Sequence, residues 1–137
     1  MKSEINVKWN EKMAFTAEIG EYRIVLDAAA EVGGENKGPR PKPLLMVSLA
    51  GCTGMDVVSI LEKMKVKLKS FNVKVIGDVN DEHPKKFNEM KIIYEFSGDN
   101  LEMDKLKKAV KLSEEKYCGV IATLRNSVKL DFEIKII

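Results

Sequence analysis

The sequence predicts an α+β fold with the element order βββ-α-ββ-αα-β. Three observations carry that expectation. Apolar residues alternate with polar ones near both ends of the chain, one long apolar stretch fills the middle, and a glycine- and proline-rich segment separates the first strands from that stretch. At 137 residues the chain is expected to form a single domain, residues 1–137, with no internal repeat.

The elements follow in order. Ile5, Val7 and Trp9 alternate with polar Asn6, Lys8 and Asn10, a period of two that sets three apolar side chains on one face of a strand. Met13 to Ala17 and Tyr22 to Leu26 continue the meander, with Gly20-Glu21 as the turn. The segment from Glu31 to Pro41 is a loop, because its glycines and prolines suit neither a helix nor a paired strand. A helix is expected from Lys42 to Lys67, with Pro41 and Pro43 at its first turn. Its first half, Leu44 to Met55, is apolar on nearly every side and is expected to be buried. In its second half Val57, Val58, Ile60, Leu61, Met64 and Leu68 face inward. An all-round apolar half-helix is hard to cover with one small chain, which points to a second copy as cover.

Val73, Val75 and Gly77 mark the next strand, Asp81-Glu82-His83-Pro84 a turn, and Phe87 to Phe96 its partner. Asp99-Asn100 is expected to cap a helix from Leu101 to Lys116. A break at Tyr117-Cys118-Gly119 leads into a shorter helix through Asn126. Val128 to Ile136 alternates throughout and closes the chain as a strand.

Composition excludes several functions. The formal charge is +2, and the arginines Arg23, Arg40 and Arg125 are scattered rather than clustered for phosphates, so no nucleic-acid partner is expected. The longest uncharged run, Pro43 to Met55, falls short of the roughly 20 residues that cross a bilayer, so no membrane partner is expected. The first residues lack a signal-peptide pattern, and the expected location is cytoplasmic. There the two cysteines rest reduced. No nucleotide or hydrolase motif is present, so no cofactor is expected. His83 reads as a turn residue, and one histidine with two separated cysteines gives too few ligands for structural zinc.

Cys52 and Cys118 remain as candidates for chemistry. Cys52 is flanked by Gly51 and Gly54 inside a strong helix, where each glycine costs about 1 kcal/mol relative to alanine. Close approach to the sulfur is one compensating gain. Cys118 lies at a helix break, where first-turn N–H groups would favour a thiolate. Composition and spacing leave two readings open: a reactive pair, or two free cysteines serving as small buried hydrophobes.

The run Pro39-Arg40-Pro41-Lys42-Pro43 through Leu49-Ala50-Gly51-Cys52-Thr53-Gly54-Met55-Asp56-Val57-Val58, followed by Leu112-Ser113-Glu114-Glu115-Lys116-Tyr117-Cys118, resembles the OsmC/Ohr family, and most its YhfA-like branch. The resemblance covers nearly the whole chain. It implies an intertwined α+β homodimer with the cysteine helix buried at its centre. It also implies a hydroperoxide reductase in which Cys52 is peroxidatic, Cys118 resolving, and an external dithiol the reductant. The family's peroxidases carry a glutamate ten residues before the first cysteine and an arginine from the N-terminal strands. Here those places hold Lys42 and Asn10-Glu11-Lys12. Lys42 and Arg40 are therefore the basic candidates for activating the Cys52 thiolate. Glu114 and Glu115 read as an exposed face, and Tyr117 as a packing residue. The alternative function is a protein that binds a small hydrophobic ligand or senses redox state without turnover.

Overall fold

The computed structural model describes all 137 residues. The expected element order is present: β1 (Asn6–Glu11), β2 (Ala14–Ile19), β3 (Tyr22–Leu26), α1 (Pro43–Lys63), β4 (Ser70–Val79), β5 (Phe87–Ser97), α2 (Met103–Leu112), α3 (Gly119–Leu124) and β6 (Lys129–Ile136). A short 3-10 turn, Ala30–Val32, interrupts the first loop, and a π-helical turn, Ser113–Tyr117, joins α2 to Cys118. The chain divides into two compact units, Met1–Leu45 and Met46–Ile137.

In the first unit β1, β2 and β3 form an antiparallel meander. The register aligns Val7 with Ala17 and Ile24, and Trp9 with Phe15 and Leu26, so one face of this sheet is apolar. Much of that face is open: Trp9 is 65% and Val7 48% exposed. The loop after β3 is organised by Asp27, whose buried carboxylate accepts N–H bonds from Ala28, Glu35 and Lys37. Gly34 and Gly38 sit so close to the backbone oxygens of Ala28 and Val25 that a Cβ at either would lie 2.0 Å away.

The second unit holds a sheet in the order β4-β5-β6, with β5 antiparallel to β4 and parallel to β6. Its apolar face carries Phe71, Val73 and Val75 beside Ile92, Tyr94 and Phe96, then Phe132 and Ile134. Leu49, Val57 and Leu61 of α1 and Leu106, Ala109 and Val110 of α2 complete one core cluster against it. The opposite face is polar and carries the Lys74–Glu95 and Lys91–Glu133 ion pairs.

Several boundaries differ from the sequence expectation. The helix begins at Pro43 rather than Lys42 and stops at Lys63 rather than Lys67. It stops because Lys65 turns left-handed (φ +60°), and the N–H groups of Lys65 and Val66 bond back to Glu62 and Leu61. Asp99-Asn100 does not cap α2; Glu102 occupies that position without a side-chain bond. The first half of α1 is not buried on every side: Val47 is 62% and Met55 76% exposed, and inward-assigned Val58 is 46% exposed. With 21 residues α1 is also long and apolar enough to cross a membrane, which its shorter uncharged run hid. Its Leu49, Thr53, Val57 and Leu61 stripe packs as a core helix does.

Candidate functional site

Cys52 and Asp56 lie one turn apart on α1 and so share a face. The π-helical turn then delivers Cys118 to the same place. Its extra residue per turn is fixed by the Cys118 N–H bond to the Ser113 carbonyl at 2.8 Å. As a result the Cys52 Sγ, the Cys118 Sγ and an Asp56 carboxylate oxygen all fall within 4.8 Å of one another. Both thiols are free; Cys52 is half-buried and Cys118 buried.

A buried hydroxyl chain lies behind the sulfurs. Ser113 Oγ donates to Asp56 Oδ2 at 2.9 Å. A hydroxyl has one proton, so the 2.8 Å Thr53–Ser113 bond must run from Thr53 to Ser113. By the same count Tyr94 Oη donates to Thr53 Oγ1 at 2.8 Å. The direction is thus Tyr94 to Thr53 to Ser113 to the Asp56 carboxylate. Tyr94, Thr53 and Ser113 are fully buried, and no buried side-chain polar atom lacks a partner. Burial pushes the Tyr94 hydroxyl up to about 12.

Cys118 sits at the N-cap of α3, where its Sγ accepts the Ile121 N–H at 3.4 Å. The sequence expectation was that such an amide would favour its thiolate. Burial dominates instead: it pushes the Cys118 thiol up to about 11, with neighbouring Cys52 adding to the rise. Cys118 is a protonated thiol at neutral pH.

The other expected site residues fall as follows. Arg40 Nη1 donates to Asn36 Oδ1 at 2.8 Å and to the Gly38 carbonyl at 3.0 Å, within its own loop. Lys42 is exposed in the turn ahead of α1. His83 is exposed in the β4–β5 turn. Glu114 is half-buried rather than exposed, and burial raises its carboxyl above the ordinary value, with Glu115 adding to the rise. Its carbonyl accepts a bond from Arg125. Tyr117 is not packed in the core; it is 53% exposed under the Lys116 ammonium, 5.3 Å from the ring centre. Sequence reasoning did not single out Thr53, Asp56, Tyr94 and Ser113. The Cys-x-x-x-Asp spacing on a helix was the one signal available for Asp56.

The adjacent face of α1 is different. Val47, Gly51, Gly54, Met55 and Val58 line an open apolar groove of about 680 Å³ against Phe71 and Val73 of β4. Cys52 does not line it. A Cβ on Gly51 would meet nothing within 4 Å, so this side of the helix offers open space.

The chain is similar to known proteins along nearly its whole length. The family model for OsmC-like proteins matches residues 34–133. Protein YhfA of Escherichia coli K12 is 28% identical over 135 residues, covering 98% of each chain. The crystal structure of a hypothetical protein from Aquifex aeolicus superposes with a TM-score of 0.87 at 32% identity, covering 100% of this chain and 98% of that one. The organic hydroperoxide resistance protein OhrB of Bacillus subtilis shares the fold, with a TM-score of 0.70 at 15% identity and 98% of each chain covered. The family model's match over residues 34–133, on a fold that these relatives share, places the chain in the OsmC-like family.

Proposed function

We propose that this protein is a cytoplasmic, homodimeric thiol peroxidase that reduces organic hydroperoxides. The observation that carries the reading is the approach of Cys52 and Cys118 to within 4.8 Å from distant parts of the chain. A disulfide needs about 2.05 Å between sulfurs, so a small local shift closes the bond. Cys52, the more accessible thiol, attacks the peroxide as thiolate and takes one oxygen. It becomes a sulfenic acid, and the alkoxide leaves as an alcohol after gaining a proton. Cys118 then displaces water from the sulfenic sulfur and forms the disulfide. An external dithiol restores both thiols and is itself oxidised to a disulfide. Buried Cys118 leaves the peroxide to the more accessible Cys52, and it gives up its proton when it attacks the sulfenic sulfur. Lys42 and Arg40 are the proposed sources of positive charge for the Cys52 thiolate.

The test is dithiol-dependent consumption of cumene hydroperoxide. Turnover by the wild type, its loss in Cys52→Ser and a Cys52–Cys118 disulfide by mass spectrometry are the expected results. Failure to form that disulfide overturns the two-cysteine mechanism. The groove beside Gly51 favours one second reading, a binding protein for a small hydrophobic ligand. Saturable binding of an apolar probe that survives Cys52→Ser, without turnover, would select it.

A further inference from the structure

Cys52, Cys118 and Asp56 together form a donor set that the peroxidase reading uses only in part. Asp56 has no step in that reading, yet it is the endpoint of a directed hydroxyl chain and forms a hydrogen bond rather than an ion pair. Two thiols and a carboxylate within 4.8 Å repel one another once ionised. A divalent cation removes that repulsion, and thiolate donors select a soft or borderline ion. The geometry fits. Tetrahedral zinc with bonds of about 2.3 Å to sulfur sets its sulfurs about 3.8 Å apart. Donors now at most 4.8 Å apart therefore close by about an ångström on the ion. Ser113 holds Asp56 Oδ2, which orients the carboxylate and leaves its other oxygen for the metal, as outer-shell partners do in metal sites.

We propose that the reduced protein binds one zinc-class divalent cation per chain through Cys52 Sγ, Cys118 Sγ and an Asp56 oxygen, and that metal binding and disulfide formation compete for the same two sulfurs. Binding releases the thiol protons to solvent. The disulfide form has no thiolates to offer and releases the ion. The inference shares its thiol pair with the peroxidase reading but does not require turnover.

The experiment uses the full chain, reduced anaerobically and freed of reductant. Zinc chloride is titrated in competition with a chromogenic chelator, and cobalt(II) is added separately to read thiolate-to-metal charge-transfer absorption. One zinc per chain, two thiolates in the cobalt spectrum and loss of binding in Cys118→Ser and in the disulfide form are expected. Asp56→Asn is expected to weaken binding by about tenfold or more. Asp56→Cys, which supplies a third thiolate, is expected to strengthen it, so a fold disturbed by the loss of the carboxylate does not decide the matter. Zinc not retained by the reduced wild type overturns the proposal. So does binding that persists in the Cys52→Ser/Cys118→Ser double variant. If the disulfide forms with hydroperoxide but zinc does not bind, the metal site falls and the peroxidase reading stands. Zinc binding without hydroperoxide consumption gives the reverse.

Discussion

Cys118 has 3% of its surface exposed, and burial pushes its thiol up to about 11, whereas Cys52 is reachable at the helix surface. Iodoacetamide at neutral pH is therefore expected to label Cys52 first, with Cys118 reacting only as pH approaches its raised value; peptide mass spectrometry gives the order. The sign for stability follows. The folded value lies above the ordinary 9.0, so the Cys118 contribution is intact below pH 9 and is lost as pH rises through about 11. Thr53 is a second residue-scale test. Thr53→Val removes the link between Tyr94 and Ser113, takes the acceptor from the buried Tyr94 hydroxyl and leaves Ser113 only its Asp56 bond. It is expected to cost about 1–3 kcal/mol in urea unfolding. The cysteines were legible in the sequence because a motif surrounds each of them. The hydroxyl chain was not, because it depends on the β5 register that turns Tyr94 toward α1, and no local pattern encodes that.

At the scale of elements, strands were read well because alternation is a direct imprint of two unlike sheet faces. Helix ends were read less well. Lys65 adopts a left-handed conformation that glycine usually marks, so α1 stops without its usual signal, and Glu102 starts α2 without a side-chain cap. The loop after β3 offers an element-scale prediction. Three N–H donors surround the Asp27 carboxylate, and that of Ala28 is the largest of the forces that lower its pKa below 3.8. Its contribution is present above the ordinary value and lost as pH falls through the lowered folded one. Asp27→Asn is expected to lower the amide protection factors across residues 28–38 at neutral pH, and acid is expected to lower the same protection factors in the wild type.

For the whole molecule, the sequence named one problem that the single chain leaves open: apolar surface on α1 without cover. Val47, Met55 and Val58 remain exposed, and the first sheet adds Trp9, Val7 and Phe15 on one face. The proposed homodimer assigns that cover to a second copy. Met55→Lys with Val58→Glu is expected to convert the dimer to monomer and to lower its melting temperature, read by analytical ultracentrifugation and calorimetry. A dimer unchanged by both substitutions would remove this face from the interface. The π-helical turn has an outcome at this scale as well. It holds one residue more than an α-helical turn would need between Leu112 and Cys118. Rewinding that turn to α geometry at its present length would swing the second thiol by about 100° around the axis. Redox pairing in this architecture thus depends on how one turn is wound as much as on which residues it holds: a chain can keep both cysteines and still lose the pair.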